Sequence, residues 1–181
     1  INTLNSYNYL QKTLRKKIHF SGVGIHNGRA VSMSIEPAEA DTGIIFYRTD
    51  IDNNNVIKGL INNVVDSRLC TKIKNSSGIC VSTIEHLMAA LSALGIDNVV
   101  VKINSSELPA LDGSSHEYVK KIISSGIRTL DRKKKVFRVI RKVEVKSGDR
   151  FISITPSDEL SINISINYPE TIIGHSQYFY T

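Results

Sequence analysis

Residues 82–95 constrain the fold more than any other stretch, because they combine a helical pattern with a start and a stop. Apolar side chains recur at helical spacing at Ile84, Leu87, Met88, Leu91 and Leu94. Ser82 is a suitable N-cap with Glu85 three residues later, as in a capping box, and Gly95 is a suitable C-terminal stop. The sequence therefore predicts an amphipathic helix with Glu85 and His86 in its first turn.

Most of the remaining pattern is typical of short β-strands. Val31, Met33 and Ile35 alternate with polar residues, which predicts a half-buried strand, and Asn27-Gly28 before it is typical of a hairpin turn. Further strands are predicted at 18–25, 43–47, 98–103, 136–145, 150–155 and 160–167, and a second helix at 116–124. The basic run 128–135 is interpreted as a linker. Together these elements predict an α+β fold.

Two passages suggest an internal repeat. Residues 28–38 and 148–157 each contain a turn glycine, a strand, and a proline followed by a small residue. We therefore expect a first α/β unit over residues 1–131 and the start of a similar unit over 132–181. Each would be a two-layer sandwich, a sheet covered by helices, with only strands present in the second. Since a sheet with a bare apolar face is not stable alone, the second unit is expected to be incomplete in this chain.

Composition limits the class of protein. A hydrophobic share of 41% and a charged share of 22% are typical of a soluble globular chain. No apolar run approaches the roughly 20 residues that span a bilayer, and the two cysteines, Cys70 and Cys80, form no CxxC motif. A cytoplasmic location is therefore expected. The net charge of +6 favours an anionic partner, but no nucleic-acid-binding signature accompanies it, so a nucleic-acid partner is not expected.

The adjacent Glu85 and His86 allow two interpretations. Glu85 can complete a capping box beside a surface or packed histidine. Alternatively, His86 can bind a metal ion while Glu85 takes a proton from an attacking water. None of the other four histidines pairs with His86 at helical spacing, so spacing alone leaves both interpretations open.

Six motifs in order and in register narrow the choice. They are Gly22–Gly28 (GVGIHNG), Tyr47–Asp50 (YRTD), Leu69–Thr71 (LCT), Ser82–Leu87 (STIEHL), Gly95–Asn98 (GIDN) and Glu107–Ser114 (ELPALDGS). From about Thr13 to the end, the chain closely resembles the zinc-dependent UDP-3-O-acyl-N-acetylglucosamine deacetylases of lipid A biosynthesis. That family has two similar α/β domains with the active site between them. The resemblance implies that His86 is a zinc ligand and that Glu85 is the general base.

The resemblance also implies a substrate pocket. His26, Leu69 and Cys70 would line it, and Asp112 would support the site. Three of these residues have a plainer alternative: His26 as a turn histidine, Cys70 as a small buried apolar side chain, and Asp112-Gly113 as a simple turn. The substrate would be an acylated UDP-amino sugar, bound in the cytoplasm of a Gram-negative bacterium by a monomer with at most peripheral membrane contact.

The family pattern departs from this sequence in one respect. Its remaining zinc ligands come from a His-Lys-x-x-Asp helix and its general acid from a later histidine, and neither is found here. We therefore expect the remaining Zn²⁺ ligands beyond Thr181, and we expect a fragment that holds half of the active site. The alternatives are an inactive split-gene product and a non-catalytic module that binds an anion or a nucleotide.

Overall fold

The computed structural model describes residues 9–181, which form two units that divide between Lys134 and Lys135. Among the described residues, the first unit holds two α-helices, a short 3₁₀ helix (Ile61–Asn63) and ten strands, and the second unit holds four strands. Within residues 9–181, the helices are all too short or too polar to cross a bilayer.

A five-stranded sheet is the centre of the first unit. Its elements, with those packed around it, are β1 (Leu10–Leu14), β2 (Ile18–Val23), β3 (Ala30–Pro37), β4 (Ile44–Arg48), β5 (Val56–Lys58), β6 (Val64–Asp66), β7 (Lys72–Lys74), β8 (Cys80–Ser82), α1 (Glu85–Ala93), β9 (Val99–Ile103), α2 (His116–Ser125) and β10 (Ile127–Lys133). The central order is β2-β3-β9-β4-β5, antiparallel except for the parallel β4–β9 pair. Strands β6, β7 and β8 form a smaller antiparallel sheet, and β1 pairs with β10.

Both helices bury their apolar faces in the same core as the central sheet. Leu87 and Leu91 of α1 are fully buried, as is Ile122 of α2. Phe20 of β2 packs against Tyr118 of α2 with ring centroids 4.9 Å apart and ring planes tilted by 46°. The apolar positions predicted to face the core in β3, Val31, Met33 and Ile35, are buried, but the alternation is incomplete because Ser34 is buried as well. The α+β class is confirmed.

The predicted capping box at α1 is wrong. The helix begins at Glu85 and its N-cap position is Ile84, which has no side-chain cap. Ser82 instead ends β8, where its backbone N–H and its hydroxyl both donate to the carbonyl of Ser106. A polar residue before a helical pattern suggests a cap, but here a tertiary contact takes its hydrogen-bonding groups. The predicted stop is confirmed, because Gly95 follows the helix with φ +66°.

The predicted basic linker at 128–135 is also wrong. Residues Ile127–Lys133 form β10, which pairs with β1. Leu130 is the one residue of β10 that is buried, so the strand carries no alternating pattern to reveal it. Its cations face acids instead: Arg128 lies 3.9 Å from Glu39 and Arg132 lies 3.4 Å from Asp41.

Two hairpins make up the second unit. The first joins β11 (Val143–Ser147) to β12 (Arg150–Ile154), and the other joins β13 (Ile162–Tyr168) to β14 (Gly174–Tyr180). The strand predicted at 136–145 begins seven residues late, and β14 was not predicted. Several apolar side chains of these strands, Phe151 and Ile164 among them, are more than half exposed. The similarity of this unit to the first stays a prediction.

Candidate active site

A pocket of about 170 Å³ lies within the first unit, where the turn after β2 meets the start of α1. It is lined by Ile25, His26, Leu69, Thr83, Glu85, His86, Pro109, Ala110 and Gly113. Four of the six site residues expected from the sequence are therefore brought together, although they come from three separate parts of the chain.

Glu85 and His86 reach the pocket because β8 leads almost directly into α1. Thr83, which lies between β8 and α1, has φ +58°, a left-handed conformation that is rare for a β-branched residue. Both Glu85 and His86 are half-buried. The Glu85 carboxylate accepts a hydrogen bond from the N–H of Thr71 at 2.9 Å, which ties the segment after Cys70 to the helix start.

His26 lies in the exposed turn between β2 and β3. Gly28 in the same turn has φ +64°, as the Asn-Gly pattern predicts. The N–H of His26 and that of Asn27 donate to the carboxylate of Glu107, at 3.0 Å and 2.9 Å. The turn that presents the imidazole is thus fixed by a residue from another loop.

A second cavity of about 500 Å³ adjoins the first and shares His26 and Leu69 with it. Its other lining residues are Asp66, Arg68, Cys70, Lys72 and Ser82. Arg68 lies 3.0 Å from Asp66, and its hydrogen bonds hold the pKa of that carboxyl far below the ordinary value. Cys70 borders this second cavity. The cationic side chains of Arg68 and Lys72 make the wall of the cavity partly basic.

Asp112 lines neither cavity. It is exposed, and its carboxylate accepts hydrogen bonds from the N–H and the hydroxyl of Ser114. These bonds hold the pKa of Asp112 below its ordinary value. The geometry places Asp112 in the turn that precedes α2, next to the pocket residue Gly113.

Two residues without a predicted role, Glu107 and Thr83, lie at the centre of this arrangement. Glu107 is 1% exposed, and besides the turn it binds the hydroxyl of Thr83 at 3.0 Å. Burial is the largest single influence on the pKa of Glu107 and would raise it. The N–H groups of His26 and Asn27 and the Thr83 hydroxyl together outweigh it, so the pKa lies below its ordinary value. The one signal of Glu107 in the sequence is its position as a single acidic residue between the strand at 98–103 and Leu108-Pro109.

Metal-ligating side chains are sparse. In the described range 9–181, no three His, Cys, Asp or Glu residues form a group that could hold a metal ion. The pocket does contain one half-buried imidazole, His86, next to a carboxylate, and this pairing suits a divalent ion with a bound water. The residues fit such a site in kind, and His86 is the side chain that could serve as one ligand.

Comparison with known proteins identifies the class. Residues 11–181 match the family model described as LpxC, UDP-3-O-acyl N-acetylglycosamine deacetylase. Similar proteins named UDP-3-O-acyl-N-acetylglucosamine deacetylase include those of Wigglesworthia glossinidia brevipalpis (39% identical; 94% of this chain, 58% of the relative) and Pasteurella multocida (37%; 91% and 54%). Another, from Campylobacter jejuni, is 38% identical over 93% of this chain and 56% of its own length.

The chain therefore belongs to the UDP-3-O-acyl N-acetylglycosamine deacetylase family. It spans a little over half the length of the curated relatives it matches. The resemblance inferred from the six sequence motifs is confirmed.

Proposed function

We propose that this chain supplies part of the active site of a zinc-dependent deacetylase. The reaction would remove the N-acetyl group of UDP-3-O-acyl-N-acetylglucosamine during lipid A biosynthesis. The observation that carries the proposal is the placement of Glu85 and His86 side by side in one pocket, facing the His26 turn, in a chain of this family.

In the reaction, Glu85 acts as the general base. It takes a proton from the water whose oxygen attacks the acetyl carbonyl carbon. The carbon–nitrogen bond then breaks as the amine nitrogen takes up a proton, which balances the one that Glu85 removed from the water, and the acetyl group leaves as acetic acid, which ionises to acetate. The hydrogen bond from Thr71 N–H to Oε2 of Glu85 orients the carboxylate and leaves Oε1 for the water.

Zinc would be held by His86 together with ligands that the resemblance assigns to a His-Lys-x-x-Asp sequence, which does not occur among the 181 residues. When bound, the metal supplies polarisation of the carbonyl and lowers the pKa of water. His26 and Leu69 border both cavities, which supports the proposal that they contact a substrate extending from one cavity to the other.

The test compares acetate release from UDP-3-O-acyl-N-acetylglucosamine by wild-type protein and by Glu85→Gln, both expressed from the complete natural reading frame. We expect Glu85→Gln to lower kcat by about 10²–10⁴-fold because the base is lost, with zinc content unchanged. His86→Ala should lose zinc as well as activity. The matched control is Glu117→Gln, which removes an acid from the first turn of the other helix, outside the pocket. Unchanged turnover in Glu85→Gln would refute the role of Glu85.

A second function is favoured by the cationic wall of the larger cavity. Arg68 and Lys72 could bind the phosphates of a nucleotide in a module without catalysis. The same experiment separates the two functions. A binding module would retain affinity for UDP in both Glu85→Gln and His86→Ala, and its wild type would release no acetate.

A further inference from the structure

Glu107 is a buried carboxylate with an unusual set of partners. It lies four residues beyond the end of β9 and is 1% exposed. Among the described residues, its carboxylate forms no ion pair with lysine or arginine. Burying a charge without such a partner is costly, and three neutral donors hold it in place instead.

These donors belong to two segments that are distant in sequence. Oε1 accepts from the N–H of His26 and from the hydroxyl of Thr83, each at 3.0 Å. Oε2 accepts from the N–H of Asn27 at 2.9 Å. One carboxylate therefore connects the turn that presents His26 with the junction that leads into α1.

The second of these segments is strained. Thr83 has φ +58°, and such a conformation persists in a β-branched residue only where its surroundings hold it. Thr83 stands two residues before Glu85 and three before His86, so its backbone sets the direction in which α1 begins. The Glu107 contact is its one side-chain hydrogen bond among the described residues.

We propose that Glu107 is a positioning residue of the deacetylase site, one that holds the His26 turn and the Thr83 junction together so that His26, Glu85 and His86 face the same pocket. This inference deepens the proposed function and rests on it for its catalytic consequence. The lowered pKa of Glu107 agrees with it, because hydrogen bonds from the three donors favour the charged carboxylate.

The alternative is that Glu107 merely stabilises the fold. A distinguishing readout is the Thr71 amide, which does not contact Glu107 but donates to Glu85. Amide hydrogen exchange at Thr71 therefore reports the position of the Glu85 carboxylate without any need for activity. A loss of fold stability alone would raise exchange throughout the unit.

The test uses Glu107→Gln in the protein from the complete natural reading frame. The glutamine amide places a donor against N–H groups that need an acceptor. The matched control is Asn98→Ala. Asn98 is equally buried and bonds Gly43 and Gln11, but it precedes β9 at the opposite end of that strand. Thr83→Val and Thr83→Ser form a second pair, because only serine keeps the hydroxyl.

We expect Glu107→Gln to lower kcat/KM by about 10–100-fold, as residues that support a site typically do. Exchange at Thr71 should rise about ten-fold relative to core amides of the same variant, with no such excess in Asn98→Ala. Thr83→Val should follow Glu107→Gln, and Thr83→Ser should remain near wild type.

Two results would overturn the inference. One is unchanged relative exchange at Thr71 in Glu107→Gln. The other is an equal loss of kcat/KM in Glu107→Gln and Asn98→Ala, which would reduce Glu107 to a structural role. If the wild type releases no acetate, the proposed function fails, and Thr71 exchange still decides whether Glu107 positions Glu85.

Discussion

The close approach of Gly24 to Glu107 gives a direct test of how tightly the His26 turn is held. A Cβ atom at Gly24 would lie 2.6 Å from Oε2 of Glu107 and 2.5 Å from Oδ1 of Asn27. Neither oxygen can move freely. The first accepts from Asn27 N–H at 2.9 Å, and the second accepts from Arg29 N–H at 2.8 Å. Gly24→Ala must therefore break or stretch these bonds.

The size of the effect follows from the bonds at risk. A hydrogen bond to a charged group contributes about 1.5–3 kcal/mol and a neutral one about 0.5–1.5 kcal/mol. Loss of both would lower the free energy of unfolding by about 2–4.5 kcal/mol. At about 2–4 °C for each kcal/mol, Tm would fall by roughly 4–18 °C.

Gly28→Ala is the control in the same turn. Gly28 has φ +64° with nothing within 4 Å of an added Cβ, so it incurs conformational strain without a clash. That strain is worth about 1–2 kcal/mol. Calorimetric melting of both variants gives the comparison. A Gly24→Ala protein that melts at or above Gly28→Ala would refute the reasoning, because the turn would then yield without loss.

Two further predictions concern stability. Leu87→Ala should lower the free energy of unfolding by about 2–5 kcal/mol, because Leu87 is fully buried in the core. The control Ile123→Ala, at a site 59% exposed, should change it by less than about 0.5 kcal/mol. Equal urea midpoints for the two variants would contradict this prediction. Hydrogen bonding from Lys17, and from Lys102, holds the pKa of Glu36 below its ordinary 4.5. The stabilisation contributed by the Glu36 carboxylate is therefore full above about pH 4.5 and is lost as pH falls through the folded-state pKa. Glu36→Gln should accordingly flatten the acid side of the profile of unfolding free energy against pH, measured by urea titration. A profile parallel to that of the wild type would count against this prediction.

The contrast between β3 and β10 shows how far the sequence could predict the fold. Strand β3 carries apolar residues at every second position, Val31, Met33 and Ile35, because one face lies on the core, and it was predicted to within a residue or two. Strand β10 buries one residue, Leu130, and its other side chains are polar or partly exposed. Its order comes from backbone pairing with β1, which no side-chain pattern records.

The candidate site divides in the same way. The motif resemblance drew attention to Glu85, His86 and His26, and the structure brings these three to one pocket. The motif resemblance could not assign a role to Glu107, whose hydrogen-bond partners His26 and Thr83 lie 81 and 24 residues away in the chain. A role that depends on contacts between distant segments becomes visible only in the folded unit.

The order of the central sheet explains why those segments meet. Strand β3 is antiparallel to both β2 and β9, so β2 and β9 run in the same direction and their carboxyl termini lie at the same end of the sheet. The turn that carries His26 leaves one strand there, and the loop that carries Glu107 leaves the other. The N–H of Ala110 donates to the carbonyl of Val23 and closes the two loops on each other. Since the sheet fixes both exits, Glu107 needs only a short reach to position the turn, and its effect on the pocket follows from strand order, not from proximity in sequence.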